Sequence, residues 1–339
     1  MKKLVAIAAI LALLMSSTAC GSGSSPSASS AGAGNASAQA GSQTNHPQMA
    51  LSVGTGPSGS TNYAVISSMG SLIQKRYTNY IFSPEISTGS AQNVQMIVQK
   101  TCQMGVCMAD AAYAAYNGER EFDKNTKGKI NFVMSGYETV FNQFVLKNSP
   151  IKNFKDLKGK KCGVGKGTME QFYWPMLLEM NGMSEDDVKT VSLSLSDIAD
   201  EVSDGTLDYG VFVTSVPNSD ISNLALTKGI RMLGFDEDVR KSIIEKYPYF
   251  NEATISKDSY NLDSDVVTLG TRNTIVASPD LDPQVVYDFL DVVLSSQNDL
   301  KLVSVSAAEF NKENALLDSK LIPMHPGATK YYKEKGMIS

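Results

Sequence analysis

From Leu51 onward, short apolar runs alternate with stretches whose apolar residues recur at helical spacing. Leu51-Ser52-Val53 predicts a strand that runs into Gly54-Thr55-Gly56-Pro57-Ser58-Gly59-Ser60-Thr61, after which Val65, Ile66, Met69, Leu72 and Ile73 share one helical face. The unit of strand, glycine loop and helix recurs. Tyr80-Ile81-Phe82 leads through Ser87-Thr88-Gly89-Ser90 to a helix with Val94, Ile97 and Val98 on its apolar side, and a strand follows over Gly105 to Met108, then Asp110 and an alanine- and tyrosine-rich segment. Lys161 to Gly165 again reads as a strand and Lys166-Gly167 as its loop. Thr168 with Gln171 predicts a capping box opening a helix that buries Tyr173, Met176, Leu177 and Met180 and stops at Gly182. A helix over 196–203, a turn at Gly205 and a strand over Leu207 to Val213, ending in Thr214-Ser215-Val216-Pro217-Asn218, echo the earlier segment from Val94 to Ala109.

Further strands are predicted over 129–135, 141–146, 266–269 and 274–277, and Asp282-Pro283 opens a helix with Val285, Val286, Phe289, Leu290, Val293 and Leu294 on one face. The alternation predicts an α/β chain with a parallel or mixed sheet covered on both faces. Two lobes of similar construction are expected, lobe I from 51–140 with 271–339 and lobe II from 141–270. Two crossing segments would then form a hinge that allows closure around a ligand.

The N-terminus reads as an address. Lys2 and Lys3 precede the apolar run Leu4 to Met15, too short to span a bilayer, which ends in Ser16-Ser17-Thr18-Ala19-Cys20. Residues 1–20 are therefore expected to be a leader, with lipidation at Cys20 anchoring the chain to the outer face of the cell membrane; a secretory peptide that merely stops near a cysteine is the alternative. Gly21 to Ala50 carries no charge and is built mostly of Ser, Ala and Gly, the composition of a flexible tether. His46 lies inside it, away from any expected site.

Composition narrows the class. The chain has 339 residues, 42% hydrophobic and 19% charged, with 30 basic against 35 acidic side chains. That balance argues against a polytopic membrane protein and against a nucleic-acid binder held by bulk positive charge. Four cysteines are too few for a disulfide scaffold and lack zinc-site spacing, so Cys102, Cys107 and Cys162 are read as buried thiols. His325, in Pro323-Met324-His325-Pro326-Gly327, reads as a turn residue, and no GxSxG, P-loop or HExxH motif occurs. An enzyme is disfavoured. Gly54 to Gly59 matches GxGxxG, but Glu85, 26 residues beyond Gly59, comes late for a ribose partner, and an exported chain meets no nicotinamide pool. No cofactor or metal is expected.

The helix starts at Ser60-Thr61, Ser90 and Thr168 each combine unpaired backbone N–H groups with hydroxyls, an arrangement that suits a carboxylate or another small anion. These hydroxyls could equally be plain N-caps. Lys166 is the basic residue within the glycine loops and the candidate partner of a ligand carboxylate, with Arg272 as its competitor.

At these residues the sequence resembles the TAXI family of extracytoplasmic solute receptors, the binding proteins of one class of TRAP transporter. The loop from Gly54 to Tyr63 is similar to the family's glycine-rich opening, with Pro57, Ser58, Ser60 and Asn62 as departures. Ser87 to Asn93, Met108-Ala109-Asp110, Ile151 to Gly165, Phe212 to Asn218, and Met324 to Ala328 with Tyr331, Tyr332 and Gly336 resemble its later motifs in the same order. The resemblance implies a type II periplasmic-binding-protein fold, two α/β lobes joined by a two-strand hinge that close over a solute. It implies a monomer that passes a small carboxylate or amino acid, such as glutamate or glutamine, to a TRAP membrane subunit; a binding lipoprotein of an ABC importer is the alternative. The ligand residues so implied are Thr55, Gly56, Ser58, Thr61 and Tyr63 in the first loop, and Ser90, Asn93 and Asp110 beyond it. In the second lobe they are Lys166, Gly167 and Thr168, then Thr214, Pro217 and Asn218.

Overall fold

The computed structural model describes residues 48–339, the side chains of Thr168 and Met169 excepted. Cys20, the leader and the tether up to residue 47 lie outside the described residues. Met49 and Ala50, assigned from the sequence to the end of the tether, belong instead to the first strand, where Met49 pairs with Tyr80.

The chain opens with β1 (Met49–Gly54), α1 (Thr61–Arg76), β2 (Tyr80–Glu85), α2 (Ser90–Val98), β3 (Met104–Met108) and α3 (Ala109–Asn117). The long strand β4 (Asn131–Leu146) leads out of this half. The same order then returns as β5 (Lys161–Gly165), α4 (Thr168–Met180), β6 (Lys189–Leu193), α5 (Leu195–Ser203), β7 (Tyr209–Thr214) and α6 (Ser219–Lys228). β8 (Ile230–Leu233), α7 (Glu237–Lys246), β9 (Asn251–Ile255) and α8 (Lys257–Tyr260) precede the second long strand, β10 (Val266–Ala277). α9 (Pro283–Ser295), α10 (Gln297–Val303), α11 (Val305–Ala308) and α12 (Pro326–Glu334) complete the chain.

The strands lie in the order β2-β1-β3-β10-β4-β7-β5-β6, with β8 on β4 and β9 on β10. β1 is parallel to β2 and β3, and β5 is parallel to β6 and β7; β10 and β4 run antiparallel to their neighbours. Each half thus places its first strand between its second and third and ends on one long antiparallel strand. Those two long strands pair with each other at the junction. This is a type II periplasmic-binding-protein topology, two α/β lobes joined by a pair of crossing strands.

Burial follows the apolar faces. Val65, Ile66 and Met69 of α1 pack with Phe289 and Leu290 of α9 and Tyr332 of α12 in one core. Tyr173, Trp174 and Leu177 of α4 pack with Phe141, Tyr209 and Phe250 in another. Each fully buried large side chain of these clusters contributes about 1.5–3 kcal/mol. On α4 the core-facing residues include Trp174 and Leu178, whereas Met176 and Met180 are only half-buried.

Both crossing strands are continuous where the hydrophobic pattern indicates pairs of short ones. Gly136-Tyr137-Glu138-Thr139 interrupts the apolar run of β4, and Gly270-Thr271-Arg272-Asn273 interrupts that of β10, yet Glu138 and Thr139 pair with Arg272 and Thr271. The break in pattern marks where the strands leave one core for the other. The N-cap expected at Thr168 falls one residue earlier. α4 begins from Gly167 without a side-chain cap, and the Gln171 amide donates to the Gly165 carbonyl at 2.6 Å.

Cys102, Cys107 and Cys162 are free and buried, as the sequence predicts, and burial pushes the Cys102 thiol up to about 11 and the Cys162 thiol up to about 12. His325, expected as a turn residue, is instead the buried N-cap of α12. Its Nδ1 accepts from the Gly327 N–H at the start of α12, and burial lowers its pKa.

Candidate functional site

A cleft of about 420 Å³ opens where the starts of α1, α2, α3 and α4 approach the middle of the crossing strands. Lobe I contributes Ser60 to Asn62, Thr88 to Ala91, Met108, Asp110, Ala111, Arg120 and Glu121. Lobe II contributes Gly167, Glu170 and Phe212 to Ser215, and the crossing strands supply Tyr137, Thr139 and Asn273. The floor is tied to α1, since the Tyr137 hydroxyl donates to Asn62 Oδ1 at 2.8 Å and Asn62 Nδ2 donates to Asn273 Oδ1 at 3.3 Å.

Of the ligand residues expected from the sequence, Thr61, Ser90, Asp110, Gly167 and Thr214 line this cleft. α2 starts from Gly89, whose φ of 128° favours glycine, and has no side-chain cap, while the Ser90 hydroxyl accepts from the Met108 N–H at 3.0 Å. The first N–H groups of α2 are therefore left for a bound group.

The other expected residues do different work. Thr55 is buried and donates its hydroxyl to the Glu85 carbonyl at 2.8 Å, and Gly56 is buried against the Ser60 hydroxyl. Ser58 is exposed on the loop, and Tyr63 is half-buried and lies outside the cleft lining. Asn93 is wholly buried, its amide donating to the carbonyls of Thr55 and Val106 at 2.7 Å each, so it fastens the loop after β1 to β3. Asn218 caps α6 through its side chain and donates its N–H to the Tyr260 hydroxyl at 3.0 Å, and Pro217 is exposed. Lys166 is exposed and does not line the cleft; the two-residue loop holds it outside. Arg272 is also absent from the lining. Its guanidinium donates to Asn251 Oδ1 at 2.9 Å and to Glu138 Oε1 at 3.3 Å, within the junction of the crossing strands. The Thr168 side chain lies outside the described residues.

The charged groups that do line the cleft were not singled out from the sequence, Asp110 excepted. Arg120 follows α3 with a φ of 58°, a left-handed conformation that costs a non-glycine residue about 1 kcal/mol or more. Four hydrogen bonds hold it there. Nη1 donates to Asp110 Oδ2 at 2.6 Å and to the Tyr173 hydroxyl at 3.0 Å, while Nε and Nη2 grip the two oxygens of Glu121. Its guanidinium also lies 4.8 Å from the Phe172 ring centre, and Tyr173 donates on to Tyr249 at 2.7 Å. Arg120 of lobe I thereby joins the α4 side of lobe II along one rim of the cleft.

Glu170, in the first turn of α4, is buried and accepts the Val213 N–H at 2.9 Å through Oε1. It folds back over Gly165 and Gly167, where any Cβ would collide with its carboxyl oxygens. Burial, reinforced by the Asp110 charge, raises its pKa despite the bonds it accepts; burial raises that of Asp110 too, against the opposing pull of Arg120. Among the described residues no cluster of three or more metal-ligating side chains occurs. A signal for Glu170 existed, an acid one turn beyond a glycine loop. Arg120 had none, because its partners are assembled only by folding.

Among solved structures, the chain is similar to the periplasmic aliphatic sulphonate binding protein SsuA from Escherichia coli, with 18% identity over 85% of this chain and 79% of that one and a TM-score of 0.48. It is also similar to the alkanesulfonate-binding protein SsuA from Xanthomonas axonopodis pv. citri, with 14% identity over 76% and 79% and a TM-score of 0.45. The model of the NMT1-like family matches residues 53–336, from the first strand to the end of the last helix, and the chain belongs to that family.

Proposed function

We propose that the protein is the extracytoplasmic solute-binding receptor of a TAXI-type TRAP transporter, tethered to the membrane through Cys20, that captures a small carboxylate-bearing solute such as glutamate, glutamine or a related acid. The observation that carries this reading is a cleft walled by both lobes and floored by the strands that join them. Such a cleft couples binding to closure, because a solute touching both walls favours the closed arrangement by its differential contacts. The uncapped start of α2 and the hydroxyls of Thr61 and Ser90 suit the carboxylate. A solute of this size class fits the cleft volume with its polar groups reached from both sides.

The test has two arms. Protein purified from its native host is denatured, and the released small molecule is identified by mass spectrometry. That compound, returned to the refolded protein at 100 times its dissociation constant, should stabilise it by about 2.7 kcal/mol. Absence of any released compound, with no thermal shift across amino acids, 2-oxo acids and dicarboxylates, would sink the receptor reading.

A further inference from the structure

The charged side chains lining the cleft are three acids, Asp110, Glu121 and Glu170, against one base, Arg120. That base is already committed. It bonds both oxygens of Glu121, Oδ2 of Asp110 at 2.6 Å and the hydroxyl of Tyr173, so one positive charge is shared by the two acids of its own lobe. Three acids against one base leave two negative charges in excess, shared by Asp110 and Glu121 on one lobe and carried by Glu170 on the other.

Asp110 presents the clearer vacancy. Its side chain is 3% exposed, and Oδ1 is buried without a hydrogen-bond partner among the described residues. A buried carboxylate oxygen left unmatched costs more than a neutral acceptor, so the arrangement is poised for a donor. Glu170 is built into its place rather than drifting there. Val213 holds one oxygen, and the glycines at 165 and 167 leave room that no other residue would leave. Neither acid suits an anion, which two like charges would repel in a partly dehydrated cleft.

We infer that Asp110 and Glu170 together form the seat for a positively charged nitrogen of the solute, so that the ligand is an amino compound, an α-amino acid or close relative, and not a dicarboxylate or a 2-oxo acid. The inference rests on the receptor reading given above and sharpens its substrate class. The two ends of such a zwitterion match the two characters of the cleft, with the carboxylate at the starts of α1 and α2 and the ammonium between the acids. The seat also drives closure. Without a cation the two carboxylates oppose the approach of the lobes, and with one between them the same charges draw the lobes together.

The test is isothermal titration calorimetry on the purified full chain with the twenty L-amino acids, their 2-oxo counterparts and the C4 to C6 dicarboxylates, beside identification of the natively bound compound. An amino acid should bind, its 2-oxo counterpart should bind about 100-fold more weakly or worse, and the native compound should carry a basic nitrogen. Asp110→Asn and Glu170→Gln should each weaken amino-acid binding at least about tenfold. Glu170→Gln decides the matter if loss of the Arg120 partner prevents Asp110→Asn from folding. A nitrogen-free acid binding as tightly as any amino acid, a native compound without a basic nitrogen, or unchanged affinity in Glu170→Gln overturns the inference and leaves the receptor reading standing. No binding across the panel, with no native compound released, overturns both.

Discussion

The two lobes repeat one sequence of elements, yet they secure their first loops by opposite means. Asn93 is the fourth residue of α2 and Ile198 the fourth of α5, and each packs on a glycine of the first strand and a glycine of the third. In lobe I those glycines are Gly54 and Gly105, and in lobe II they are Gly163 and Gly210. The backbone path is shared, but lobe I fills the contact with an amide that bonds two carbonyls and lobe II fills it with a hydrocarbon. The loops explain the difference. Residues 55–60 form a long excursion after β1 whose carbonyl at Thr55 must be pinned from outside, whereas residues 166–167 turn tightly into α4 and are braced by Glu170 from that helix itself. A repeated fold therefore fixes where a close approach occurs and leaves the chemistry of the brace free.

The comparison can be broken most forcefully at its centre. Asn93→Ala should cost about 3 kcal/mol in urea unfolding, because two buried carbonyls lose their donor and a cavity opens, while Ile198→Val should cost only about 1 kcal/mol. Equal small losses would show that the amide brace is dispensable. Next in size is Gly167→Ala. Its φ of −64° would accommodate alanine, so the cost of about 2 kcal/mol arises from the collision with Glu170, and ligand affinity should fall with it.

Glu170→Gln sharpens the contrast without steric change. The folded-state pKa of Glu170 is raised above its unfolded value by burial, so the stability linked to its protonation is full at pH 4 and lost as pH rises through the shifted value. The ligand-free variant should thus match the parent at pH 4 and melt higher than it at pH 7.5, a gap that calorimetric melts at the two pH values would read. The smallest effect is expected at Lys166→Met. With its side chain exposed beyond the cleft lining, affinity should change less than about twofold and stability by less than about 0.5 kcal/mol.

The regular elements were legible because their apolar periodicity survives in each strand and helix. The glycine loops were legible too, since the alternation of strand and helix places them at the carboxyl ends of strands. The crossing strands were not read as whole. Their middle residues, such as Glu138 and Arg272, answer to each other across the junction and not to a core, so the apolar signal lapses there. The cleft chemistry was legible only at its edges. Thr61, Ser90 and Asp110 stand at helix starts that a linear reading can find. Arg120 is held by Asp110 and Glu121 of its own lobe and reaches Tyr173 and Phe172, residues of the other lobe that no local pattern connects to it.

The pairing of β4 with β10 has a dynamic corollary. At the junction, 139–140 and 270–271 bond to each other while β7, β8, β3 and β9 flank the same strands on either side, and the register shifts between Arg272 and Thr274 and again between Ile275 and Val276. Opening of the lobes is then expected to twist an intact ribbon at these irregular steps. The backbone amides of the junction should accordingly exchange with deuterium only as slowly as the whole molecule unfolds, whether or not the cleft is occupied.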